Sequence, residues 1–245
     1  MNPRTTLAVA GRVLTQLRRD RRTAAMLIVL PCLLITLLWW MFRDLPVDPF
    51  DRLGPALLAV FPFIVMFLVT SVTTLRERSS GTLERLLAMP MGRLDFLLGY
   101  ALAFGVVAAL QSGLAVSVSV GLLDLSVEGP VWLLCVVATA DAVLGSVLGL
   151  FVSAFARTEF QAVQFLPLVV FPQLLLCGLF VARPDLPEVL DVTGRALPLT
   201  YAVDAMDRLT GSSTTSDVWL DLLVVGGFVV AGLALGSVTL RRRTE

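Results

Sequence analysis

The chain contains no lysine and no histidine, so all nineteen basic residues are arginine. Without lysine, a Walker-type phosphate loop is excluded, because that loop needs a lysine to reach the terminal phosphates of ATP. Without histidine, Ser-His-Asp and Cys-His catalysis, histidine metal sites and histidine proton relays are excluded. Cysteine is scarce as well. Cys32, Cys135 and Cys177 sit far apart in separate apolar runs. They fit neither a disulfide framework nor metal-ligand spacing and read as small apolar filler. Charge is thin overall: 16% of 245 residues, against 57% hydrophobic. Soluble domains carry about 25% charged and about 45–50% apolar residues.

What is present is a series of apolar runs of roughly 19–28 residues separated by charged stretches, the pattern of a polytopic membrane protein. The expectation is a single all-α membrane domain over 1–245, with spans at 24–42, 54–75, 96–123, 131–155, 161–182 and 218–240. The first reads as a retained span, not a cleavable signal. Pro31 lies inside it, and Trp39 and Trp40 suit an aromatic belt near its end. The third carries small residues at every fourth position (Ala101, Gly105, Ala109, Gly113, Ser117, Gly121). That stripe permits a close helix neighbour, expected within the same subunit. The fourth holds Asp141 near mid-membrane, followed by Gly145, Gly149 and Ser153. An embedded acid is a functional candidate, with pairing to a nearby hydroxyl or water access as the plainer readings. Pro167 and Pro172 break the ladder of the fifth span, which suits a helix bordering a cavity. The loop 183–217 is long, and its helical stretches are too polar or short to span. They are expected at the interface or dipping in partway.

Arginine placement orients the chain. With the N-terminus inside, fourteen of the nineteen arginines fall on inner segments, and the inner side is net +8 against −6 outside. Both termini are therefore expected in the cytoplasm. Residues 4–22 place Leu7, Ala10, Val13, Leu14 and Leu17 on one helical face, with Arg4, Arg12, Arg19 and Arg22 mostly opposite. This predicts an interfacial amphipathic helix ahead of the first span.

The stretch 76–95, RERSSGTLERLLAMPMGRLD, is then an inner segment. A mere connection needs about four to eight residues, and this one is longer and holds a helix nucleus at 81–89. Gly81 breaks the preceding span. Glu84 suits the first turn, where the helix dipole favours a carboxylate. Pro90 ends the helix. Leu83, Leu86 and Leu87 form an apolar ridge, which can dock in a groove on a soluble partner or rest on lipid or its own bundle. Spacing alone leaves both open.

The run from Glu77 to Tyr100, ERSSGTLERLLAMPMGRLDFLLGY, resembles the signature of ABC-2 type transporter permeases. Glu77, Gly81, Thr82, Leu83, Glu84, Leu86, Leu87, Pro90 and Gly99 match it. Tyr100 stands where that family usually has lysine, a departure of little weight if the lysine supplies charge at the interface. The run from Leu197 to Ala202, LPLTYA, resembles the family's outer-loop stretch, and the basic N-terminal helix resembles its connector helix. The resemblance implies a bacterial cytoplasmic-membrane permease subunit paired with a second, identical or related, permease. It implies a separate cytoplasmic ABC ATPase holding ATP and Mg, with no cofactor or catalytic residue on this chain. Membrane lipid is the surrounding partner and nucleic acid is not one. A coupling helix at 80–89 would seat in the ATPase, involving Glu77, Ser80, Gly81, Thr82, Leu83, Glu84, Arg85, Leu86, Leu87 and Pro90. Spans two and five would line the pathway, which makes Phe67, Thr70, Ser71, Phe165, Pro172 and Gln173 the candidates. An aromatic, uncharged lining suits export of a lipophilic or amphipathic cargo, such as a drug or antibiotic. Export of polysaccharide, lipid or peptide, and a secondary transporter or channel working through Asp141, are the alternatives. A membrane enzyme is disfavoured by the missing histidine and metal-ligand clusters.

Overall fold

A computed structural model describes residues 3–44, 49–80 and 93–239. Among these the chain is all-helical. In order come α1 (Pro3–Arg19), α2 (Arg21–Phe42), α3 (Pro49–Ser79), α4 (Arg93–Gly121), α5 (Val131–Ser153) and α6 (Glu159–Leu176). After α6 follow a 3₁₀ turn (Arg183–Asp185), α7 (Glu188–Arg195), α8 (Pro198–Gly211) and α9 (Ser216–Thr239). Six helices, α2 to α6 and α9, are long and apolar enough to cross a membrane.

The centre is the α3–α5 pair. Two-thirds (67%) of the apolar window of each is buried, against 17% for α2 and α6 and 22% for α9. The cause of the close pairing is glycine. A Cβ on Gly145 would lie 2.4 Å from the Phe63 carbonyl oxygen, and one on Gly149 would lie 2.4 Å from that of Phe67. Helix backbones therefore touch at two successive turns, as small residues in a membrane allow. The α4 stripe expected to do this is largely unused: nothing would lie within 4 Å of a Cβ on Gly113 or Gly121. Its members sit toward the surface, while Ala103, Phe104 and Ala108 turn inward.

Two expectations from the sequence change. Helix α6 ends at Leu176 instead of running to 182, because Gly178 adopts φ +100° and turns the chain out of the helix. Its 18 residues span about 27 Å, just short of a hydrocarbon core of about 30 Å. Helix α1 does not keep its apolar face for lipid. Val9, Ala10, Val13 and Leu17 are buried, packed with Phe96, Leu97 and Tyr100 of α4, while Leu7 stays 60% exposed. Gly99 makes that contact possible, since a Cβ there would fall 2.7 Å from Val9. Tyr100 accordingly faces the bundle interior, fully buried and stacked on Phe96 at 4.4 Å between ring centroids.

Helix starts carry local logic. Asp20 separates α1 from α2 and caps α2 by accepting the Thr23 N–H at 3.2 Å. Thr158 caps α6 by accepting the Gln161 N–H at 3.2 Å, and the Gln161 side chain reaches back to the Arg157 N–H at 2.8 Å, a variant of the reciprocal capping box.

Candidate functional site

The arginine-rich end of the bundle gathers around the last turn of α3. Three consecutive residues there bind three different parts of the chain. Arg76 pairs with Glu159 at the start of α6 through two hydrogen bonds, at 2.7 and 2.9 Å. Glu77 accepts from Arg12 of α1 at 3.0 Å. Arg78 donates to the carbonyl of Ala156, in the turn between α5 and α6. Consecutive helical residues point about 100° apart, so one turn can reach three neighbours only where it stands among them. Glu77 is 7% exposed. Removing its arginine would strand a carboxylate in a poorly hydrated place, at a cost of several kcal/mol if burial were complete. The Arg76–Glu159 pair is more than half exposed on both sides and contributes ~0.5 kcal/mol on its own. Its geometry, a two-pronged fork, fixes orientation more than stability.

Ser80 follows directly, its hydroxyl donating to the Glu77 carbonyl at 3.1 Å. Gly81, Thr82, Leu83, Glu84, Arg85, Leu86, Leu87 and Pro90, the remaining members of the expected coupling segment, lie outside the described residues. What is described is the base from which that segment leaves α3.

The six pathway candidates do not share one face. Phe67, Thr70 and Ser71 are buried within the subunit, each at most 1% exposed. Thr70 borders a small void with Tyr100, Phe104 and Ser146, between α3, α4 and α5. The face of α3 that approaches the surface is instead the half-buried line Phe61, Ile64, Leu68 and Val72, spaced at helical intervals. That line was legible as a periodicity but not as a direction. On α6, Phe165 is half-buried and Pro172 exposed. Gln173 turns inward: its carbonyl oxygen accepts the Leu199 N–H at 3.3 Å and its amide donates to the Val169 carbonyl at 3.0 Å. It thus serves the open start of α8.

Asp141 is fully buried, and neither carboxylate oxygen has a hydrogen-bond partner among the described residues. It stands one turn ahead of Gly145 on the same stripe of α5. No described hydroxyl pairs with it.

The acidic end is built differently. Helix α8 tucks into the bundle, burying Leu199, Val203, Met206 and Leu209 against α3, α5 and α9, rather than lying flat on its rim. The LPLTY run explains its own composition here. Pro198 opens the helix where no N–H is needed. The Thr200 hydroxyl donates to the Gly194 carbonyl and the Tyr201 hydroxyl to that of Arg195, both at 2.8 Å. Arg183 pairs with Asp191 at 3.1 Å and with Asp204, and Arg195 closes on Asp191 at 2.5 Å. A cavity of about 220 Å³ lies beside them, lined in part by Arg52, Arg183, Asp204 and Asp207. Asp207 keeps part of its side chain in solvent. Even so, desolvation by the surrounding protein, and then the Asp204 charge, push its carboxyl up to about 7, with Arg52 opposing.

A family model described as ABC-2 type transporter matches residues 4–208. Over 198 residues the chain is 25% identical to ABC transporter G family member 20 of Dictyostelium discoideum, covering 80% of this chain and 27% of that protein. It is 27% identical over 169 residues to the inner membrane transport permease YhhJ of Escherichia coli (strain K12), 67% of this chain and 45% of the relative. To the probable multidrug ABC transporter permease YbhS of the same strain it is 24% identical over 156 residues, 63% and 41%. The chain thus spans less than half the length of each of these relatives.

Proposed function

The chain belongs to the ABC-2 type transporter family, and on that premise we propose that it is the permease subunit of an ATP-driven exporter whose ATPase is a separate chain. That family supplies the membrane subunits of ABC transporters, and six apolar helices make this chain a multi-pass membrane protein. In the proposal both termini and the arginine-rich end face the cytoplasm of a bacterial cell. Residues 80–89 seat in a groove of the ATPase, Leu83, Leu86 and Leu87 inward. ATP and Mg bind on that partner, and two permease copies enclose the pathway.

The observation that carries the reading is the last turn of α3. The coupling segment departs from a turn that is bonded to α1, α6 and the α5–α6 turn at once. A push on that segment therefore reaches α3 and α6 together. The half-buried line Phe61, Ile64, Leu68 and Val72 of α3, with Phe165 and Pro172 of α6, is the lining this geometry favours. It is wholly apolar, which suits a lipophilic or amphipathic cargo, with drug-like compounds the narrower expectation.

The test uses inside-out vesicles holding the chain and its ATPase, with a lipophilic dye added to the medium and its uptake followed. Dye movement that requires ATP, and that survives Asp141→Asn, is the expected result. Movement that proceeds without ATP and vanishes in Asp141→Asn would point to a secondary transporter and overturn the proposal.

A further inference from the structure

The arginines of the arginine-rich end divide into two sets. Arg12, Arg76 and Arg78 are bonded to protein groups. Arg18, Arg19 and Arg21 are exposed and make no ion pair with any described residue. These three meet at the bend between α1 and α2, around an open concavity of about 380 Å³ that Thr15 completes. The bend is made by Asp20, which stands between the helices at φ −84°, ψ 81°. Asp20 is the only acid in the run and its charge is committed elsewhere. It accepts the Thr23 hydroxyl at 2.7 Å and the Thr23 N–H at 3.2 Å, and these bonds hold its carboxyl below the usual value. The Thr15 hydroxyl is likewise engaged, donating to the Gly11 carbonyl at 2.7 Å.

Three guanidinium groups around one hollow repel one another unless an anion fills it. Planar forks with several N–H donors match the oxygens of a phosphate better than those of any single-acceptor anion. The hollow also has an apolar continuation. Ala25, Ile28 and Val29 follow Arg21 on its own helical face and are exposed, Val29 by 53%. Because Arg21 opens the first span, the hollow sits where that helix leaves the hydrocarbon, the level of lipid phosphates. A ligand that satisfies both parts is amphipathic, with an anionic phosphate at one end and acyl chains at the other.

We propose that the α1–α2 junction is a binding site for anionic phospholipid, its phosphate held by Arg18, Arg19 and Arg21 and its chains lying along Ala25, Ile28 and Val29. The site stands independently of the transport reading, and the failure of either leaves the other intact.

Native mass spectrometry of the full chain, released from micelles after exposure to phosphatidylglycerol or phosphatidylcholine, tests it. The wild type retains phosphatidylglycerol and not phosphatidylcholine. R18Q/R19Q/R21Q lowers that retention on the order of tenfold, the worth of one charged hydrogen bond. R241Q/R242Q/R243Q removes the same charge from the end of the sequence and leaves retention unchanged. Where the glutamine variant inserts poorly, R18K/R19K/R21K keeps the charge, and a fall of several-fold is expected because lysine lacks the fork. Equal retention in wild type and the R18Q/R19Q/R21Q or R18K/R19K/R21K variant, or equal loss in both glutamine variants, would overturn the site. Displacement of the lipid by an equal concentration of inorganic phosphate would assign the hollow to a soluble phosphate and overturn the lipid.

Discussion

The two ends of the bundle use ion pairs in opposite ways. At the arginine-rich end, Arg12–Glu77 and Arg76–Glu159 join residues 65 and 83 positions apart, each on a different helix. At the acidic end, Arg183–Asp191, Arg183–Asp204, Arg195–Asp191 and Arg208–Asp217 join residues 8, 21, 4 and 9 positions apart. The first set binds α1 and α6 to the last turn of α3, the base of the segment that follows it. The second braces a local cap of short helices. Pairs of the first kind tie elements distant in sequence; those of the second tie neighbouring elements within one stretch of chain, up to the start of α9. On the proposed reading, the first end is the one that receives motion and the second the one that resists it.

The comparison assumes a common body, and the largest expected effect is there. Gly149→Leu drives a side chain into the Phe67 carbonyl. It should cost about 3 kcal/mol or prevent insertion, as overpacking does at its upper range. Membrane yield and thermal melting in detergent measure it, and both ends should be lost together. Next is a direct contest between the ends. Arg12→Ala leaves the buried Glu77 carboxylate unpaired and should cost about 2 kcal/mol, discounted for the partial exposure of Arg12. Arg195→Ala removes a local pair from a mostly exposed arginine and should lower the melting temperature far less than Arg12→Ala. Equal melting shifts in the two variants would break the comparison.

A smaller effect sharpens it. Arg76→Glu or Glu159→Arg alone should change stability by only ~0.5 kcal/mol yet reduce ATP-driven transport. The double reversal should restore transport. Smallest is a pH effect at the acidic end. The Asp207 carboxyl is raised in the folded chain from its ordinary 3.8 to about 7. Its favourable contribution is therefore complete below about pH 4 and is lost as pH rises through about 7. Melting temperature between those values should fall with pH in the wild type and fall less in Asp207→Asn.

The six spans were legible because apolar length is a one-dimensional property. The family likeness was legible because Gly81, Pro90 and the leucines sit at fixed offsets. Direction within a helix was harder to read. Phe67, Thr70 and Ser71 lie on the expected span but face inward, since every face of an apolar helix looks alike when lipid and protein interior are equally apolar. The same ambiguity placed the close helix contact on the α4 stripe, where the small residues are more numerous. The contact lies at Gly145 and Gly149, whose partner is backbone and leaves no mark in the sequence of α3. Helix α6 stops at Leu176 because of one glycine conformation at Gly178, which composition does not reveal. The amphipathic face of α1 was plain, but its occupant was not: a helix of the same chain answers the pattern as well as a membrane does. Pairings such as Arg12 with Glu77 cross 65 positions and follow from the fold alone.

The central claim is that the segment following α3 receives the stroke of a separate ATPase. The most direct measurement is ATP-driven transport, with co-purification of the ATPase, for Leu83→Asp combined with Leu87→Asp. The account predicts a chain that inserts and melts like the wild type, releases the ATPase and loses transport by more than about tenfold, as the loss of two buried apolar anchors implies. A double variant that still holds the ATPase and still transports at the wild-type rate would contradict it.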